Sequence, residues 1–262
     1  MASSNFLRKD GSGALYGVNT QWLDSGALPT VSMAPISVII PALNEGKRIG
    51  AQVRSVLAQS GFSEVIVVDG GSDDDTVAQA KAAGAAVLHS PRGRARQMNM
   101  GAAAAREQLL FFLHADVTIP EGAAAHIHQT LTADAIAGVF STWHIQDPLA
   151  EGTWPLYGVL QLSDLRSRVA SHPYGDQGLF LRRRVFEKLG GFPDIPIMED
   201  FAFSHTLARA GRIAVAPASV KVSGRRWQRH PFFTTFVMNT FPMAFRLGVS
   251  PSRLARLYAA IR

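Results

Sequence analysis

Four short polar clusters carry most of the side chains able to do chemistry: Pro41-Ala42-Leu43-Asn44-Glu45, Asp69-Gly70-Gly71-Ser72, Ser90-Pro91-Arg92-Gly93-Arg94 and His114-Ala115-Asp116. Their carboxylates can accept hydrogen bonds from a ligand, hold a hard divalent cation or take up a proton. Arg92 and Arg94 in the third cluster, Arg96 just beyond it, and Arg225-Arg226 far downstream offer planar guanidinium forks that match phosphate oxygens. A further acidic pair, Glu199-Asp200, opens an apolar-periodic segment. Each feature has a plainer reading. Glu45 and Glu199-Asp200 suit the positive end of a helix, Arg92 suits a solvated face, and Asp69 could cap a helix, although Ser72 and Asp73 serve that end equally well. It is the order of all four clusters that argues for a site.

Each cluster follows an apolar run. Ile36 to Ile40, ended by Pro41, reads as a buried strand, as do Val65 to Val68, Ala85 to His89 and Leu109 to Leu113. Helical spacing runs between them: Gly46 to Gln59 with Ile49, Val53 and Val56 on one face, a helix capped by Ser72 or Asp73 through Ala83, and Arg94 to Glu107. Continuous apolar strands alternating with helices predict an α/β fold, a mostly parallel sheet covered on both faces. In such sheets ligands collect at the carboxyl ends of the strands, where the polar clusters stand. Downstream, Ala135–Ile145, Gly178–Leu181 and Ile213–Val215 read as strands. Trp154–Val169 and Glu199–Ala210 read as helices, the latter ended by Gly211, and the aromatic stretch beyond Arg229 as helical and broken by Pro242. Residues 1–35 read as a flexible leader, 36–229 as one α/β domain and 230–262 as an aromatic and basic helical extension.

With 47% hydrophobic and 18% charged residues the 262-residue chain has the means to bury a core. It contains no cysteine, which excludes thiolate metal sites, cysteine nucleophiles and disulfides. The formal charge is +6, and all but five of the 26 Lys and Arg residues are arginine, which favours a phosphorylated ligand or an anionic surface. The basic residues are not interleaved with a motif that reads RNA or DNA, so no nucleic-acid partner is expected. Pro41 to Gly46 lacks both the Gly-x-Gly-x-x-Gly turn of dinucleotide enzymes and the Lys-containing phosphate loop. No apolar run is long enough to span a bilayer, and Met1 to Pro35 has no apolar signal stretch, so a cytoplasmic protein is expected.

Taken in order, Pro41-Ala42-Leu43-Asn44-Glu45, Val67-Val68-Asp69-Gly70-Gly71-Ser72-Asp73-Asp74-Asp75-Thr76, Asn99-Met100-Gly101, Leu113-His114-Ala115-Asp116 and Glu199-Asp200 resemble the family 2 glycosyltransferases of the GT-A fold. The resemblance covers about Ile36 to Trp227 and looks closest to the branch found beside radical-SAM genes and linked with arsenosugar biosynthesis. It implies a Rossmann-like GT-A sheet, a UDP- or GDP-sugar donor, Mn²⁺ or Mg²⁺, and transfer to an acceptor hydroxyl with inversion at the anomeric carbon. The alternatives are a sugar-phosphate nucleotidyltransferase, which would want a Gly-rich basic loop after the first strand, and a catalytically dead nucleotide-sugar-binding homologue.

By that resemblance Asp200 is the base that deprotonates the acceptor, and Glu199 orients the acceptor or supports the loop. Pro41, Ala42, Glu45 and Asp69 line the nucleoside pocket. Arg94, Arg96, Gln97 and Asn99 form its basic and polar wall, and Asp176 and Gln177 shape the sugar or acceptor side. Arg226 binds diphosphate and Trp227 stacks on a sugar. Asp116 is the expected metal ligand; His114 stands where the family has the first carboxylate of Asp-x-Asp, and it either joins Asp116 on the metal, which favours Mn²⁺, or hydrogen-bonds the ribose or the phosphate. The acceptor is left open between a small molecule and a polyprenyl phosphate. The C-terminal aromatic and basic segment suits either peripheral contact with the inner face of a membrane or packing on the domain or a second subunit as a homodimer.

Overall fold

The structure is a computed structural model that describes strands 7–9 and 15–17 and residues 34–132, 134–149 and 175–261. The chain divides into two units, Met1–Ser32 and Met33–Arg262. In the first, β1 (Leu7–Lys9) and β2 (Leu15–Gly17) pair antiparallel. The rest of the leader up to residue 33 and the helix expected over Trp154–Val169 lie outside the described residues.

The second unit opens on β3 (Ile36–Ala42), α1 (Gly46–Leu57), β4 (Phe62–Asp69), α2 (Thr76–Ala82), β5 (Ala86–His89), α3 (Arg94–Ala104) and β6 (Leu109–Phe112). β3 pairs parallel with β4 and β6, and β4 parallel with β5. Both faces of β3 are buried because its side chains alternate between two apolar layers. Ile36, Val38 and Ile40 meet Ile49, Val53 and Val56 of α1, whereas Ile39 turns to Met98 and Ala102 of α3. α3 lies close on the sheet at Gly101, where a Cβ would stand 2.4 Å from Ile39 Cγ2. The Asn-x-Gly spacing is thus a packing requirement as well as a motif.

Next come β7 (Val117–Thr118), α4 (Ala123–Thr130) and β8 (Ala135–Ile145). After a 3-10 turn at Gly175–Gln177 follow β9 (Leu179–Arg182), α5 (Arg183–Lys188), α6 (Glu199–Ala210), β10 (Arg212–Ser223), α7 (Arg225–Arg229), α8 (Pro231–Arg246) and α9 (Pro251–Ile261). The eight strands run in the order β5-β4-β3-β6-β9-β8-β10-β7. β9 is antiparallel to both β6 and β8, and β7 to β10, while β8 and β10 are parallel. The expected mostly parallel α/β sheet, with a helical C-terminal region, is what the chain forms. Periodicity identifies β9 but is silent about its direction. Phe180 on that strand packs with Phe111 and Phe140 at ring separations of 6.2 and 5.3 Å, joining the two halves of the sheet.

Local readings need correction. The first strand continues through Pro41, which still pairs with Val68 because β6 stops opposite Ile39 and asks no hydrogen bond of the proline. α2 has Asp75 at its N-cap, not Ser72 or Asp73. Asp74 accepts from the Thr76 N–H at 3.0 Å, while the Ser72 hydroxyl is spent on Asp69. α3 stops at Ala104, short of Glu107, and Pro242 sits inside α8 without ending it. The last strand is far longer than Ile213–Val215, because a register shift between Val215 and Ser219 carries the pairing with β8 past Pro217. β7 and α4 were not anticipated.

Candidate active site

The polar clusters at the strand ends first hold one another. Asn44 takes a left-handed conformation (φ 55°) that its short amide tolerates. Its N–H donates to Ser72 Oγ and its Oδ1 accepts from the Asp73 N–H, each at 2.9 Å. Asp69, 2% exposed, accepts from the Gly71 and Ser72 N–H groups at 3.0 and 3.1 Å and from the Ser72 hydroxyl. Burial pushes that carboxyl up, but the bonds from Ser72 and Gly71 and the nearby His89 hold it below the usual carboxylate value. Gln97 Nε2 donates to the Ala42 and Val68 carbonyls at 2.8 Å each, bridging the ends of β3 and β4. Asn99 clamps Phe192 through both its amide oxygen and its amide nitrogen, at 2.9 and 2.8 Å.

Beyond this frame stands a charged centre. Antiparallel pairing of β7 with β10, and the Ser223 N–H bonded to the Asp116 carbonyl at 3.0 Å, bring the start of α7 beside Asp116. Arg225 then spans two carboxylates: Nη2 lies 3.1 Å from Asp116 Oδ2, while Nη1 (2.9 Å) and Nη2 both engage Glu45. Arg94, half-open to solvent, reaches Glu199 Oε1 at 3.3 Å across the cleft from α3 to α6. Met198, the N-cap of α6, is held at φ 70°, a strained conformation that aims Glu199 and Asp200 back toward the sheet. Asp200 Oδ2 accepts the Gly175 N–H at 2.8 Å. A Cβ on Gly175 would lie 2.7 Å from that oxygen and 2.9 Å from His114 Cε1, so only glycine leaves Asp200 and His114 facing each other across the turn. His114, Gly175 and Asp200 rim a recess floored by Met98, Phe112, Leu179 and Phe192.

The electrostatics show that these groups share one space. Burial and the charge of Arg94, with Arg226 behind it, push His114 down to about 4 against the pull of Asp116 and Asp200, so the imidazole is neutral at physiological pH. Burial would raise Asp116, but the charges of Arg226, Arg225 and Arg94 hold it low and ionised. Burial raises Asp176, with Asp200 and Asp116 adding to it, although His144 Nε2 stands 3.8 Å from its Oδ2. Glu199 is likewise raised by burial and by Asp200, against Arg94.

Of the residues expected from sequence, Glu45, Arg94, His114, Asp116, Asp176, Glu199, Asp200 and Arg226 come together here. Trp227 is 7% exposed and meets His144 edge-on at 5.0 Å, so its ring is largely packed. Gln177 is buried and donates to the Phe140 carbonyl at 3.2 Å. Pro41 and Ala42 lie in β3 itself. Arg96 turns outward to Asp194, with Nε 2.9 Å from each oxygen. Gly175 and His144 carry no clear signal in the sequence. The sequence favours Arg226 at the diphosphate, and the structure adds Arg225, which makes the hydrogen bond to Asp116 because of the direction in which α7 leaves β10.

Among the described residues no three His, Asp or Glu side chains gather as a cation cage. A cation that bridges two phosphates needs fewer protein ligands, because the phosphates and water complete its shell. An ionised carboxylate and a neutral imidazole two residues apart fit that demand, so Asp116 and His114 are the residues that would hold such an ion.

Residues 37–190 match the model of glycosyl transferase family 2. The chain belongs to that family. Among curated proteins it is 34% identical over 96 residues to glucosyl-3-phosphoglycerate synthase of Mycolicibacterium paratuberculosis, a match covering 32% of this chain and 29% of that one. It is 30% identical over 118 residues to 4,4'-diaponeurosporenoate glycosyltransferase of Staphylococcus aureus, covering 42% and 28%. The matches thus span under a third of either relative. The fold is that of a mannosyltransferase from Pyrobaculum calidifontis solved with GDP-Man and Mn²⁺ (TM-score 0.60, 19% identity, 88% of this chain and 69% of that one). It is also that of glucosyl-3-phosphoglycerate synthase from Mycobacterium tuberculosis solved with Mn²⁺, UDP and glucosyl-3-phosphoglycerate (TM-score 0.54, 21% identity, 82% and 81%).

Proposed function

We propose that the chain transfers a sugar from a UDP- or GDP-sugar to an acceptor hydroxyl with inversion at the anomeric carbon, assisted by Mn²⁺ or Mg²⁺. The observation that carries this reading is the convergence of Asp116, Asp200, Arg94, Arg225 and Arg226 around His114. Three guanidinium groups gathered at one carboxylate match a diphosphate better than a neutral ligand. Asp200 takes the proton of the attacking hydroxyl. Its orientation is fixed by the Gly175 and Phe201 N–H groups at 2.8 and 2.7 Å, which leave lone pairs open toward the recess. Glu199 keeps Arg94 in the cleft and acts as a positioning residue. Arg94, Arg225 and Arg226 hold the diphosphate as negative charge gathers on it. Asp116 and His114 would hold a divalent cation, which would supply Lewis-acid stabilisation of the same leaving group. The acceptor is either a small molecule or a polyprenyl phosphate.

Thermal unfolding with a panel of UDP- and GDP-sugars, with and without Mn²⁺, tests the reading. A donor present at a hundredfold excess over its Kd should stabilise the fold by about 2.7 kcal/mol. If no donor raises the melting temperature, the reading fails. Asp200→Asn should keep the shift and lose roughly a thousandfold or more of turnover. Asp116→Ala, or chelation with EDTA, should remove the Mn²⁺-dependent part of the shift, and an unchanged shift takes Asp116 out of the cation site.

A further inference from the structure

α8 is apolar on two opposite faces. Its inner face, Val237 and Phe241, packs with Leu254 of α9 and with Ile197 and Met198 at the start of α6. Phe245 meets Phe201, one residue after Asp200, at 6.0 Å. Its outer face carries Phe232, Phe236, Met243 and, at the C-cap, Leu247, which are 83, 56, 59 and 78% exposed. At about 100° per residue these four fall within an arc of roughly 60° and make a stripe about 22 Å long. Single exposed apolar side chains need no explanation, but an aligned row of four does.

The surroundings of the stripe say what covers it. From Phe201 to Arg262 the chain has ten Lys and Arg residues and no Asp or Glu, so all twenty acidic side chains lie in the first 200 residues. Arg229 stands exposed just before α8, and Arg253 and Arg256 stand exposed on α9, the latter beside the 47% exposed Leu257. A second copy of the chain would set this basic rim against its own image with no carboxylate from the segment to offset it. An anionic lipid surface satisfies both features at once, with the aromatic row in the acyl boundary and the arginines at the headgroups. No described helix is long and apolar enough to cross a membrane, so α8 would lie in the interface plane.

We infer that the outer face of α8, with the arginine rim of α9, is a docking surface for an anionic phospholipid bilayer. Because the inner face of α8 rests on the first turn of α6, docking brings the Asp200 cleft close to the lipid. The inference goes beyond the proposed transfer reaction, and its test uses neither donor nor acceptor. The full chain is sedimented with vesicles of phosphatidylcholine alone and of phosphatidylcholine containing about one-third phosphatidylglycerol. It should co-sediment with the anionic vesicles, release as salt rises, and stay in solution with the neutral ones. Phe232→Ser with Phe236→Ser should weaken partitioning by about tenfold per ring. Met243→Ser with Leu247→Ser checks the same face from its other end, should the first variant fold poorly. Unaltered binding by a folded variant overturns the inference. So does failure of the wild type to bind anionic vesicles, or a wild-type dimer that dissociates when the stripe is made polar.

Discussion

A methyl group on Gly175 would collide with Asp200 and His114, at 2.7 and 2.9 Å from their nearest atoms, in a turn where the glycine N–H already serves the Asp200 carboxylate. Gly175→Ala should therefore lower turnover by about tenfold or more through misplacement of Asp200. The melting temperature should move little, because the rim of the recess can spread. Steady-state kinetics beside a thermal melt checks this, and normal turnover would remove Gly175 from the catalytic frame. At this scale much of the site was legible. His114, Asp116, Glu199 and Asp200 stand out as titratable groups after strands or at a helix start, and they do meet. Gln97 and Asn99 were also legible as polar residues of the helix after the third cluster, but their amides join β3, β4 and the Phe192 loop. A polar side chain in a sequence shows that it needs a partner and does not show which one.

Between elements, a row of alternating charges ties α1 to the strand ends. Asp147, 5% exposed and two residues past β8, accepts from Arg48 Nη2 at 2.8 Å, from the Leu149 N–H at 2.8 Å and from the Ser223 hydroxyl. Arg48 reaches Glu45 at 4.0 Å, and Glu45 shares Arg225 with Asp116. Asp147→Ala should cost about 3 kcal/mol at neutral pH, since it leaves Arg48 with only the more distant Glu45 in a largely buried place. Burial raises the Asp147 carboxyl, but the bonds from Ser223, Leu149 and Arg48 outweigh it and hold the folded pKa below the ordinary 3.8. The stabilisation is therefore complete above that ordinary value and disappears as pH falls through the lower folded one. Melts of the wild type and the variant should converge on acidification across that window. A gap that stays constant at low pH would show that the lost contribution is packing, not ionisation.

For the whole molecule, the C-terminal helices are part of what holds α6 in place. Val237, Phe241 and Leu254 pack against Ile197 and Met198, and the Arg246 guanidinium lies over the Phe201 ring, 5.2 Å from its centroid. A chain ending at Arg229 should lose at least about 2 kcal/mol, which for a protein of this size is a fall of roughly 4–8 °C in melting temperature. It should also lose turnover, because Met198 then has little to keep it in its strained conformation ahead of Asp200. Full activity in a truncated chain of unchanged stability would separate these helices from the site. Charge is divided at the same scale, with the acidic residues confined to the first 200 positions and the last sixty wholly basic. That asymmetry was countable from the sequence, but it gains meaning only when the arginines are seen beside an exposed apolar row.

The sequence by itself determined the alternation of buried strands and helices, the polar clusters that end those strands and the family resemblance. All three are local or ordered along the chain, and periodicity and residue type are enough to reveal them. Tertiary structure alone decided that β9 runs against its neighbours, that Arg225 rather than Arg226 bridges Glu45 and Asp116, and that Gly175 separates Asp200 from His114. Each of those depends on a contact between residues from 25 to 180 positions apart, and no local propensity encodes the direction or rotation with which two distant elements meet.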